Sequence, residues 1–243
     1  MKSSLRTLLA ATSVAMLLAS PALALEKTSA RLSDTDRGDA WRGASSCSLV
    51  YYNTCTGWTW IWSGFPGSER FGVAFTGCCP IGYTTGIGTA WVNFYTGAPA
   101  GYGFTGAWDV YDADAQGCPT GASLASQPLL PASGWNSADF TGVSTPDRTF
   151  IVMVTLGATS GSPASIRTDH PAGVGAEAAA CGTCYPTTRV NHSFDWGSAA
   201  APLCPGSVFN DGVCDAQLIL DVGVSCTVSV EPQTWASVKA LYR

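Results

Sequence analysis

Charge is scarce in this sequence. Asp, Glu, Lys and Arg make up 12% of its 243 residues, about half of the ~25% usual in globular chains. Lysine occurs only as Lys2, Lys27 and Lys239. No basic cluster exists to neutralise phosphates, which excludes nucleic acid as a partner. Histidine occurs only as His170 and His192. There is no HExxH and no G-x-S-x-G elbow; residues 157–161 fit only G-x-T-x-G after a strand and read as a loop. Glu69 and Glu177 are the only mid-chain glutamates, so no glutamate pair declares a glycosidase. These absences point away from an enzyme. Beyond residue 24 no apolar run reaches the ~20 residues of a membrane span. Before residue 232 no segment carries a capped helical stripe.

The N-terminus has the three parts of a secretory signal in order. Lys2 and Arg6 supply positive charge, residues 8–19 are apolar, and Pro21-Ala22-Leu23-Ala24 ends in a small-x-small site. Residues 1–24 are therefore expected to be removed, leaving a secreted protein, extracellular or at the cell surface. In that compartment the ten cysteines, Cys47, Cys55, Cys78, Cys79, Cys118, Cys181, Cys184, Cys204, Cys214 and Cys226, form a disulfide framework. Short loops favour Cys47–Cys55, Cys181–Cys184 and Cys204–Cys214. The adjacent Cys78 and Cys79 need different partners, Cys118 and Cys226 among them. Zinc is the rival use, since Cys181-Gly182-Thr183-Cys184 has knuckle spacing and both histidines lie nearby. Cys204 and Cys214 are too far apart for a second knuckle, which favours disulfides.

Residues 25–46 are polar, charged and without periodicity, which predicts a flexible leader. From Cys47 onward, short β-branched and aromatic runs alternate with Gly, Pro and Asn. They predict strands at 48–52, 57–62, 70–76, 89–95, 105–111, 149–156, 164–168, 189–194, 216–222 and 224–230. Residues 149–156 (TFIVMVTL) are nearly all apolar and suit a central strand. In 89–95, Val92 and Phe94 take one face and Trp91, Asn93 and Tyr95 the other. The class is all-β: an antiparallel, jelly-roll-like β-sandwich over 47–230, stapled by disulfides. In the tail, 231–243, Trp235, Val238, Leu241 and Tyr242 share one face of a short helix, or the segment is disordered.

Two regions look familiar. The run from Val110 to Pro119 (VYDADAQGCP), then Gly134-Trp135-Asn136, then 148–154, resembles a jelly-roll module of secreted bacterial proteins of unknown role. The end, Thr234-Trp235-Ala236-Ser237-Val238-Lys239-Ala240-Leu241-Tyr242-Arg243, is similar to the W-x-x-[IV]-K-x-L-Y-R tails that close many such proteins. Ala236 stands where those tails usually carry Gly. The resemblance implies a secreted bacterial β-sandwich with no established activity. A recurring tail also implies a sorting or anchoring partner, against simple packing on the domain.

Three constellations stand out. Trp58, Trp60 and Trp62 fall at alternate positions and share one strand face. An exposed indole row stacks on sugar rings, with Trp91 and Tyr95 as a second row; a buried one is simply core. Asp112, Asp114 and Gln116, followed by Gly117, have the odd-position oxygens of a calcium loop. The acid expected at position twelve is replaced by Ser123, so a plain hairpin turn is the rival. Asp169-His170-Pro171 reads as an exposed loop, and Asn210-Asp211-Gly212 as a turn. Together these favour a non-enzymatic secreted sandwich for surface display, adhesion or matrix structure, with no cofactor unless calcium occupies that loop. A glycan-binding module with a glycan or cell-surface partner is the alternative, and a secreted polysaccharide hydrolase the third reading. N-terminal sequencing of exported protein should begin at Leu25; an intact Met1 would remove the signal-peptide reading.

Overall fold

Short runs of β-branched and aromatic residues, broken by turn residues, build sheets rather than helices. The computed structural model describes residues 26–31, 47–65, 67–95, 104–146, 148–159, 165–169, 190–198, 203–209 and 215–228. The signal segment, most of the leader, the tail, Cys181, Cys184, Cys214, His170, Glu177 and the 210–212 turn lie outside the described residues. The strands are β1 (Glu26–Arg31), β2 (Cys47–Val50), β3 (Trp58–Ser63), β4 (Glu69–Thr76), β5 (Tyr83–Phe94), β6 (Phe104–Ala113), β7 (Pro119–Leu129), β8 (Gly134–Thr145), β9 (Thr149–Thr159), β10 (Ile166–Asp169), β11 (Ser193–Ser198), β12 (Ser207–Val208) and β13 (Leu220–Val228). Among the described residues no helix is long and apolar enough to cross a membrane.

The strands form two antiparallel sheets that pack together as a β-sandwich. One has the order β1-β3-β10-β5-β13-β2, with β8 also paired to β5; the other has the order β12-β11-β4-β9-β6-β7. From β3 to β6, and again from β7 to β11, consecutive strands switch sheets. Trp60, Phe71, Phe75, Val92, Phe94, Trp108, Val152, Val154 and Leu220 are buried between the sheets. β9 is the central strand its sequence predicts. Val152 and Val154 face the core, while Ile151 and Met153 enter a second apolar cluster with Ala74, Phe194 and Trp196.

The two-residue β12 answers to no predicted strand, β11 runs on past 189–194 to Ser198, and four further elements depart from the sequence expectation. Glu26–Arg31, assigned to a flexible leader, is β1 and pairs with β3 along its whole length. β7 and β8 were not expected as strands, because their Ser-, Ala- and Gly-rich text carries little apolar signal. Both sit where burial is light: β7 ends its sheet, and β8 pairs with β5 alone. Residues 216–222 and 224–230 do not make two strands. β13 spans the gap, its register with β5 shifting between Val222 and Val224 around Gly223.

The disulfides correct the local pairing. Cys47 bonds Cys78, Cys79 bonds Cys226, and Cys118 bonds Cys204. Cys55 is also disulfide-bonded. Cys47–Cys55 and Cys204–Cys214 are therefore not formed. Cys78 and Cys79 do take different partners, and Cys226 is one of them as expected, but Cys118 reaches Cys204 instead. Sequence proximity misleads here because strand pairing, not loop length, decides which sulfurs meet. β2 and β5 flank β13, which brings Cys47, Cys78, Cys79 and Cys226 to one end of that sheet. Cys79–Cys226 closes 147 residues and Cys47–Cys78 closes 31. A longer closed loop restrains the unfolded chain more. Paired Cys→Ser replacement of Cys79 and Cys226 should lower stability in urea by roughly 1 kcal/mol more than replacement of Cys47 and Cys78.

Candidate functional site

Side-chain alternation turns Trp91 and Asn93 at the end of β5, and Tyr95 just past it, away from the sandwich core. Register places Trp135 of β8 beside Asn93 and Asp221 of β13 beside Trp91. Arg167 and Asp169 of β10 stand opposite Ile61 and Thr59 of β3 on this same outer face. A sheet face with this much polarity is normally wet. Here Thr59, Asn93, Arg167, Asp169 and Asp221 are all buried.

Burial forces these groups to find partners. The Asp169 carboxylate accepts N–H bonds from Asn53 at 2.9 Å and Gln217 at 2.8 Å. Arg167 donates through Nη1 to Oδ1 of Asn93 at 2.9 Å, and its guanidinium lies 5.2 Å from the centre of the Tyr95 ring. Tyr52 donates its hydroxyl to Asp221 at 2.8 Å. Its ring is 6.3 Å from that of Trp135. Nδ2 of Asn93 and Nε1 of Trp91 are buried with no hydrogen-bond acceptor. The half-buried rings of Tyr52, Trp91, Tyr95 and Trp135 thus border a polar floor whose idle donors include these.

The Trp row of β3 has another role. Trp60 is 2% exposed in the core, and Trp62 packs edge-on against it and against Phe209. Nε1 of Trp62 donates to Thr168 at 2.8 Å. Trp58 is half-buried at the strand's start. Trp60 and Trp62 are core, so the row is no sugar platform. Thr59 and Ile61, which suit a solvent face by sequence, are buried as well. Of the proposed binding aromatics, the structure keeps Trp91 and Tyr95 together on one face.

The Asp112–Gly117 stretch builds a hairpin turn. Oδ1 of Asp114 accepts the N–H of Gln116 at 2.9 Å and of Cys118 at 2.8 Å, while Gly117 takes a positive φ of 77°. Asp112 accepts from the Thr145 hydroxyl in the other sheet. Gln116 is exposed. Each carboxylate thus engages protein donors through its Oδ1 oxygen. Asp109 accepts from Thr155 at 3.3 Å.

Arg167, Asp221, Tyr52 and Trp135 escaped the sequence reading. A signal existed for two of them. In a chain this poor in charge, Arg167 in SIRTD and Asp221 in LILDVG are ionisable residues inside apolar strand text, and such residues are buried only with partners. No family model, no curated protein and no solved structure matches the chain.

Burial pushes the Asp221 carboxyl up to about 6, the Tyr52 hydrogen bond pulling the other way. The same burial and the adjacent Asp221 charge raise the Tyr52 phenol. The folded carboxyl therefore holds its proton more tightly than the unfolded one. Its contribution favours the fold in acid and is lost as pH rises through about 6. Asp221→Asn keeps an acceptor for Tyr52 without the charge. At pH 7.5 it should be more stable than the parent by about 1–3 kcal/mol, and the gain should shrink towards pH 4 in thermal melts.

Proposed function

We propose that the protein acts outside the cytoplasm as a non-enzymatic β-sandwich that binds a glycan in adhesion or at a surface. One observation carries this reading. Trp91 and Tyr95 flank a fully buried Asn93 whose Nδ2, like the Trp91 indole N–H, has no acceptor. Aromatic faces take the apolar face of a pyranose, and buried polar groups with spare donors take its hydroxyls. Leaving such donors unmatched costs about 1–3 kcal/mol each, so a hydroxyl-rich ligand gains from meeting them. The signal segment and the disulfide framework support export.

A hydrolase is the second reading, favoured by one contrast on the same face. Asp221 is pushed towards the protonated form, while Asp169 accepts two backbone N–H groups that suit its ionised form. Carboxyls held in such opposed environments are the pattern of an acid and its partner.

A glycan array on the mature protein separates these readings. The module reading expects selective retention of intact glycans. Trp91→Ala or Tyr95→Ala should weaken it at least tenfold with little change in melting temperature. Trp60→Ala should instead destabilise the fold by about 3–5 kcal/mol. Shortened products that disappear with Asp221→Asn would replace the module reading with the hydrolase.

A further inference from the structure

The opposite sheet also has a polar group that its surroundings do not satisfy. Arg70 lies in β4, immediately before the apolar run Phe71 to Phe75, and pairs across the ladder with Thr155 of β9. Its Nε and Nη2 are buried and have no hydrogen-bond partner. Those two N–H groups lie in the guanidinium plane along one edge, and they are the parallel pair that a carboxylate takes side-on. Beside it, the register of β11 shifts between Asp195, opposite Phe71, and Ser198, opposite Glu69. In the resulting bulge the register sets Trp196 and Gly197 across from Arg70. Trp196 is 1% exposed, yet its Nε1 also has no acceptor.

The indole is held in place from below. A Cβ on Gly72 would come within 3.0 Å of Cζ3 of Trp196, so only glycine lets the ring lie this close to β4. Phe194 packs against it with ring centres 5.5 Å apart. Across β9, Asp109 and Tyr111 share the face, and the charges of Arg70 and Asp109 both act on the Tyr111 hydroxyl. Asp109 accepts from Thr155. The group therefore combines a free guanidinium fork and an indole donor with a phenol, a hydroxyl and a carboxylate acceptor.

We propose that Arg70 and Trp196 form a second binding site, on the outer face of the six-stranded sheet, for the carboxylate of a polyhydroxylated acid such as a uronic-acid residue. The fork and the indole N–H bind the carboxylate. Asp109, Tyr111 and Thr155 meet the hydroxyls, which a simple acid such as acetate lacks. The site lies on the sheet opposite Trp91 and Tyr95 and stands whether or not they bind a glycan.

The test titrates glucuronate and galacturonate into the full mature chain, with galactose, acetate and sulfate as controls. The indole N–H signal of Trp196, assigned through Trp196→Phe, is followed by NMR alongside the melting temperature. Uronates should move that signal and raise the melting temperature, while galactose leaves the signal unmoved. Arg70→Lys keeps the charge but loses the fork, and should weaken uronate binding at least tenfold. An unmoved indole signal in the parent protein overturns the site even if Arg70→Lys fails to fold. Equal binding by Arg70→Lys overturns the fork, and equal responses to acetate or sulfate overturn the hydroxyl-bearing ligand.

Discussion

Burial of both faces at the centre of each sheet is the constraint on which the rest of this structure depends. In a simple sandwich the inner face is dry and the outer face wet. Here β9 is buried through Val152 and Val154 on one side and through Ile151 and Met153 on the other. In the other sheet, Val92 and Phe94 face the core while Asn93 between them is 0% exposed. A polar side chain in such a place must bond to another protein group or leave a donor idle.

The polar layer on the seven-stranded sheet follows from that rule. Asp169 gathers the amides of Asn53 and Gln217, so one carboxylate ties the exit of β2 and the approach to β13 to β10. Tyr52, the neighbour of Asn53, does the same for Asp221. Satisfied groups of this kind stiffen the floor, and the few idle donors become the chemically informative ones. On this face Asn93 and Trp91 are among them, and on the opposite sheet Arg70 and Trp196. Each pair sets an indole N–H beside a polar group, and the surroundings differ. Aromatic rings border the first, and Asp109, Tyr111 and Thr155 accompany the second.

The disulfides act on the same architecture from its edges. Cys47–Cys78 and Cys79–Cys226 hold β2, the β4–β5 connection and β13 at one end of the seven-stranded sheet. Cys118–Cys204 joins the β6–β7 turn to the stretch before β12. The Asp114 turn thereby gains a covalent neighbour at Cys118, and its carboxylate serves the turn's own amides.

By itself the sequence determined the fold class and most of the strands, because alternating apolar residues and turn chemistry are local signals. It determined the two faces of β5 down to Trp91, Asn93 and Tyr95, and the central place of β9. It marked Asp221 and Arg167 as odd only through the rarity of charge around them. Tertiary structure alone decided the disulfide partners, since Cys118 and Cys204 meet through strand pairing across 86 residues. It alone decided that Trp60 and Trp62 are core, because period-two alternation says which residues share a face and not which face is covered. The polar clusters belong to it too. Arg70 and Trp196 are brought to one place by register between strands distant in the chain, and Asp169 meets Asn53 across 116 residues; no local pattern encodes either meeting.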